Sequence, residues 1–222
     1  MRRFSLRREV ALGLGVYALY LLVARLVLRR GGRERARRNA ERLVALEERL
    51  GVHVEPALQR AVLRFPRVVH GLNAGYAAFN VTLTLGWLVL LYRRRDRAYH
   101  RLRRACVLAY LGAQPVFFLF PVAPPRVLHG FVDTLSEVSG LDLEHPFLVR
   151  FYNPVAALPS LHVAFAVLTG AAIAERAGAP AARAAARGYP ALVSLVVVAT
   201  GNHYALDCAA GAALGAVARR LA

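Results

Sequence analysis

The sequence predicts an all-α, polytopic membrane protein: a six-transmembrane-helix bundle with an amphipathic surface helix between the first two spans. Three observations predict it. Apolar residues fill 57% of the 222 positions, the mean hydropathy is +0.40, and the apolar residues come in long blocks bounded by arginines. Narrow stripes, the mark of a soluble amphipathic helix, are the exception.

The first block covers residues 10–28, close to the roughly 20 residues that cross a hydrocarbon core. A basic stretch, residues 1–8, leads into it, and Arg29 and Arg30 close it. No small-residue cleavage site follows, so the segment reads as a retained anchor rather than a signal peptide. Residues 29–70 are polar. In their second half Val54, Ala57, Leu58, Ala61, Val62 and Phe65 recur at the spacing of one helical face, and Pro56 suits a first turn. Arginines occupy much of the remainder, which predicts a helix lying on the membrane surface; a small cytoplasmic helical hairpin is the alternative. The other spans are expected at 71–92, 105–122, 160–174, 189–200 and 204–221. The fifth is short and is completed only if Asn202 and His203 sit at the interface. The sixth is dense in Ala and Gly, with Gly211 and Gly215 four apart, a spacing that lets backbones approach closely inside a bundle. Residues 1–222 thus form one membrane domain.

The formal charge is +17. There is no lysine, so all 30 basic residues are arginine. A GC-rich genome can account for that choice, but its chemical consequence stands: a side chain that grips phosphate here does so with a guanidinium. The arginines stand at the ends of apolar runs and in short connections, which suits anionic membrane lipids and excludes a nucleic-acid-reading face. Cys106 and Cys208 lie in apolar stretches and read as small core residues. With the N-terminus inside, the inner segments carry 16 arginines and the outer ones 13, a slight vote for that orientation. The loop 121–159 and the turn at 201–204 then share the outer face.

Two motifs at that face carry chemistry. One is LPSLH, ending at His162 where the fourth span begins. The other is GNHYALD, running from Gly201 to Asp207 between the fifth and sixth. His203 and Asp207 stand four apart, on one face of a helix. A carboxylate there accepts the proton of one ring nitrogen and leaves the other free as a nucleophile. A second histidine, His162, can protonate a leaving oxygen. Pro159 and Ser160 open a helix whose unpaired amides attract an anion. Ionisable groups at membrane depth are expensive and are kept for function. No G-x-S-x-G surrounds Ser160, which excludes a serine-hydrolase elbow. His129 and His145 could join His162 around a metal, but no metal-binding spacing accompanies them, and neither metal nor cofactor is expected. Asp133 can steady Arg126 or cap a helix beginning near Thr134.

The stretches FPVAPPR (ending at Arg126), GFVDT (ending at Thr134), NPVAALPSLH (ending at His162) and GNHYALD (ending at Asp207) resemble the type 2 phosphatidic acid phosphatase superfamily. Within it they are most similar to the aureobasidin-resistance, inositol-phosphorylceramide-synthase-like branch. The likeness extends over about residues 40–215 and includes the region of Leu46, Gly51 and Glu55. It implies a six-helix bundle without metal and a catalytic core at 105–215. His203 is then the nucleophile that forms a phosphohistidine, Asp207 its orienting partner, and His162 the general acid and base. Ser160 and the amides beside it hold phosphate oxygens, with Arg126 in the phosphate-gripping loop and Asn202 beside it.

The chain departs from the phosphatases at three positions. Leu119 stands where they carry lysine, and Val196 and Val197 where they carry serine and arginine. Arg150, in the same outer loop as Arg126, is the candidate second clamp on a transferring phosphoryl group; contact with lipid phosphates is its other reading. The expected function is that of a membrane phosphohydrolase acting on a lipid-linked phosphate ester. A phosphotransferase moving an inositol-phosphate type of head group, and a non-enzymatic lipid-binding or lipid-moving protein, are the alternatives. The expected location is a bacterial plasma membrane, with the active site on the extracytoplasmic face.

Overall fold

The computed structural model describes residues 4–29 and 31–222, including the side chains of all of these except residues 78–80. Residues 1–3 and Arg30, part of the basic flanks of the first expected span, lie outside that description. All the regular elements among the described residues are helical. They are α1 (Leu6–Arg29), α2 (Gly32–Leu50), α3 (Glu55–Leu63), α4 (Pro66–Ala74), α5 (Asn80–Arg93), α6 (Ala98–Leu119), α7 (Thr134–Glu137), α8 (Leu161–Ala174), α9 (Pro180–Ala199) and α10 (Ala205–Leu221). A π-helical turn, Gly75–Phe79, joins α4 to α5.

By length and composition α1 and α9 are each able to cross a membrane, and α4 with α5 make a third such length bent by 43°. The 14 residues of α8 and the 17 of α10 fall short of the roughly 20 needed. Three expected boundaries change, the first being that at 105–122, where α6 begins at Ala98 and ends at Leu119. The segment expected at 189–200 is the apolar end of a longer helix that begins at Pro180, where proline suits a first turn. The segment expected at 71–92 belongs to a helix pair that begins at Pro66 and bends at the π turn.

The polar stretch 29–70 holds α2, α3 and the start of α4 rather than one surface helix. From α2, Ala36, Ala40 and Leu43 are buried with Val122, Ala123 and Tyr204. Around α3 the apolar stripe is only partly covered: Val54 and Phe65, at its ends, are 49% and 60% exposed, Leu58 packs against the cluster of Val163 and Val197, and Glu55 and Gln59 are buried. A helix that buries polar residues and leaves the ends of its apolar stripe exposed is suited to a lipid-facing position over a polar site.

Small residues set how closely the site-bearing helices approach. A Cβ on Gly211 would lie 2.3 Å from the Ser160 carbonyl oxygen, and one on Gly215 would lie 2.7 Å from that of Ala164. Helix α10 therefore packs backbone to backbone on α8, the close approach that its glycine spacing predicts. Gly170 does the same between α8 and α9, 2.4 Å from the Ala186 carbonyl oxygen. Cys106 and Cys208 are free thiols against apolar clusters, as expected of small core residues.

Candidate active site

Three connections meet where α8 and α10 begin and α9 ends. Val122 donates its amide to Val155 (3.0 Å) and Ala157 donates to Val122 (3.1 Å), stitching the loop after α6 to the loop before α8. Arg126 donates its amide to the Gly201 carbonyl (2.8 Å), and Ser160 to the Asp207 carbonyl (3.0 Å). The sequence motifs ending at Arg126, His162 and Asp207 thus form one cluster, although they are far apart in the chain.

After α9 the backbone reverses at Gly201, whose φ is +69°. A side chain would be strained there and would also meet Gln59 Nε2 at 2.7 Å. The reversal buries His203. Its Nδ1 lies 2.9 Å from the Ala157 carbonyl oxygen and 3.3 Å from Asp207 Oδ2. Both are acceptors, so Nδ1 must carry the hydrogen and Nε2 keeps its lone pair. Burial pushes the imidazole down to about 4; the Ala157 carbonyl opposes the shift and the Arg126 guanidinium adds to it. Asp207, fully buried in the first turn of α10, also accepts the Tyr204 amide at 3.0 Å.

His162 is the second residue of α8, and its ring centroid lies 5.6 Å from that of His203 at 64°. Tyr76, from the π turn, stacks on its other side at 4.7 Å and 28°. Ser160 is buried at the N-cap of α8, where its Oγ accepts the Val163 amide at 3.3 Å. That leaves the hydroxyl hydrogen available to donate.

Arg126 is only 6% exposed. Its Nη1 donates to Asn202 Oδ1, and its Nε lies 3.7 Å from Asp133 Oδ2. Asp133 also accepts the Leu135 and Ser136 amides at the start of α7, so it both caps a helix and faces the arginine. The Asn202 carboxamide thus holds the guanidinium, and its Nδ2 donates to Thr200 Oγ1 at 2.8 Å. Arg150 is exposed at the end of a short turn, outside this buried cluster. Val196 and Val197, with Tyr76, His162, Tyr189 and Val193, line an apolar cavity of about 550 Å³.

Several neighbours of the site carry no signal in a motif search. The Ala157 carbonyl and Tyr76 are two. Glu47 and Glu55 are two more: their Oε1 atoms accept the amides of Leu206 (2.7 Å) and Ala205 (2.6 Å) at the start of α10. The signal available was an acidic residue four before a glutamine, Glu55 and Gln59, along the inner edge of the apolar stripe of α3. Glu47, His53 and Glu55 are also the one group among the described residues whose potential metal-ligand atoms lie within 4.8 Å of one another. His129, His145 and His162 form no such group.

A histidine–aspartate pair, a second histidine and a buried guanidinium thus meet where α8 and α10 begin, in a chain that also holds helices of membrane-spanning length. The chain belongs to the PAP2 superfamily, whose family model matches residues 41–221. No curated protein and no solved structure matches it. The matched stretch contains every site residue named above, and membership supports a phosphatase-type activity on lipid phosphoesters in an integral membrane protein.

Proposed function

We propose that the protein is a membrane phosphohydrolase that cleaves a lipid-linked phosphate ester through a phosphohistidine on His203. The observation that carries the reading is the pairing of His203 Nδ1 with two acceptors, Ala157 O and Asp207 Oδ2, which leaves Nε2 as a nucleophile. Nε2 attacks phosphorus and forms the P–N bond as the ester P–O bond breaks. Protonated His162 gives its proton to the departing oxygen. Water then attacks the phosphohistidine, neutral His162 takes its proton, and phosphate leaves. Arg126, the Ser160 hydroxyl and the first amides of α8 neutralise the phosphoryl oxygens, with Asn202 holding the guanidinium in register. Arg150 joins the clamp only if its exposed side chain folds inward over bound substrate.

The branch resemblance favours a second reading, in which a lipid or sugar alcohol replaces water and the product is a transferred head group. The first half-reaction is common to both. In either case we read six spans, with α8 and α10 crossing beside the longer helices, the N-terminus inside and the site at the extracytoplasmic face of a bacterial plasma membrane. Purified protein incubated with lipid phosphates, with and without candidate alcohols, tests the proposal. Phosphate release or head-group transfer that His203→Ala abolishes is expected. Release unchanged in His203→Ala contradicts it.

A further inference from the structure

Three buried carboxylates gather at the N-terminus of α10. Asp207 belongs to the helix; Glu47 and Glu55 come from α2 and α3, 159 and 150 residues away from the amides they meet. The first amides of a helix have no partner within it. Tyr204 stands at the N-cap, where a short side-chain oxygen is usual, and its hydroxyl instead donates to Ala123 O at 3.1 Å. Glu55 Oε1 and Glu47 Oε1 take the amides of Ala205 and Leu206, the two residues immediately before Asp207. Their outer oxygens share one base: His53 Nδ1 lies 3.0 Å from Glu55 Oε2 and 3.5 Å from Glu47 Oε2. Both glutamate side chains are fully buried. Burial of two carboxylates this close is costly, and burial pushes the Glu47 carboxyl up to about 7, against the pull of the Leu206 amide. A chain that needed only to end a helix could use a serine or aspartate at the cap.

We propose that Glu47 and Glu55, bridged by His53, are positioning residues: they fix the first turn of α10 so that Asp207, beside the Ala157 carbonyl, orients the His203 ring. The proposal rests on the phosphohistidine reading for its kinetic consequence, but not for its structural one. His203 Nδ1 meets Asp207 at 3.3 Å, near the limit of a hydrogen bond. A shift of the α10 start by a fraction of an ångström would break that contact. The same shift would leave Arg126 untouched, since it is anchored through Gly201 and Asn202.

Full-length protein in detergent, carrying ¹⁵N-histidine, tests this through two independent readouts. The first is steady-state kinetics on a short-chain lipid phosphate. Glu55→Ala and Glu47→Ala are expected to lower kcat by about 10- to 100-fold, the scale of a small misplacement of a reacting group, with KM within about threefold. Glu→Gln at either position is expected to recover most of kcat, because the amide oxygen can accept the same backbone N–H. The second readout is the imidazole ¹⁵N spectrum of His203, assigned by its loss in His203→Ala. It should report the Nδ1–H tautomer throughout, since the Ala157 carbonyl remains on Nδ1, with the Nδ1 resonance unmoved in the Gln variants and shifted in the Ala variants as the Asp207 contact is lost. If an Ala variant does not fold, Glu55→Asp, which keeps the charge and shortens the reach, must show the same loss. Gln variants as inactive as Ala overturn the proposal, since they make the carboxyl a reacting group. Ala variants with unchanged kcat per folded molecule and an unchanged His203 spectrum also overturn it, reducing both glutamates to supports of the fold. If the unmodified protein turns over no lipid phosphate, a shifted His203 Nδ1 resonance in the Ala variants still supports positioning while the phosphohistidine reading fails.

Discussion

Arg126→Ala should be the most damaging change outside the histidines and aspartate, and its size follows from where the arginine sits. Among the described residues it is the one buried arginine. The positions where the phosphatases carry serine and arginine hold Val196 and Val197, and both valines line the apolar cavity. Among the described residues no second guanidinium is therefore buried at the proposed phosphate site. Removing one partner of a desolvated, charge-assisted pair costs about 2–5 kcal/mol. Asp133, 3.7 Å from the guanidinium, already offsets part of its charge, which argues for the middle of that range. About 3 kcal/mol corresponds to a loss in kcat/KM of roughly 150-fold. Arg126→Lys should recover little, because an ammonium cannot both reach the Asn202 oxygen and present a fork to phosphate. The assay is steady-state turnover of a short-chain lipid phosphate in detergent, with thermal unfolding to confirm that each variant is folded. A loss below about threefold in a folded Arg126→Ala protein refutes the placement of the phosphate beside this residue.

Three further outcomes are expected. Gly211→Ala puts a Cβ 2.3 Å from the Ser160 carbonyl oxygen, so α10 must move off α8; thermal unfolding should report a loss of about 1–3 kcal/mol, the usual cost of overpacking. His203, pushed down to about 4 by burial, should stay neutral and active at pH 5 and lose activity only as pH falls through about 4. Its depressed value also means that the unfolded chain takes up a proton that the folded one refuses, so its contribution lowers stability as pH falls from about 6.5 to about 4; a pH series of kcat/KM and of unfolding temperature checks both. Turnover should survive EDTA, since charge neutralisation is assigned to Arg126 and helix-end amides. Loss on chelation, restored by one divalent ion and abolished in His53→Ala, would transfer attention to the Glu47, His53 and Glu55 group.

The helical class and the cluster of motifs were legible in the sequence for physical reasons. Long apolar blocks have few other solutions, and the four-residue spacing of His203 and Asp207 places them on one side of a helix start. Gly211 and Gly215 announced in the same way that α10 packs closely within the bundle, and the structure makes α8 the partner. Helix ends were read less well. Residues 189–200 were delimited by hydropathy, whereas α9 begins nine residues earlier, at Pro180, because the alanines and arginines of its first half favour helix without being apolar. The stretch 29–70 hid more. Its apolar stripe was visible, but what matters to the site is the inner edge of α3 and the end of α2, where Glu55 and Glu47 turn inward. A carboxylate that meets a backbone amide more than a hundred residues away leaves no local pattern. The Ala157 carbonyl on His203 leaves none either, since every residue has a carbonyl. Asn202 was expected at the phosphate; its side chain holds Arg126, a contact that depends on side-chain direction and not on spacing.

The claim on which the rest depends is that His203 becomes covalently phosphorylated, and trapping the phosphoenzyme tests it most directly. Protein quenched during turnover of a ³²P-labelled lipid phosphate should carry acid-labile, base-stable label, and peptide mapping should place it on His203. His203→Ala should carry none, while His162→Ala should still accumulate label from a substrate whose leaving group needs no proton. Label on His162, or its persistence in His203→Ala, would contradict the account.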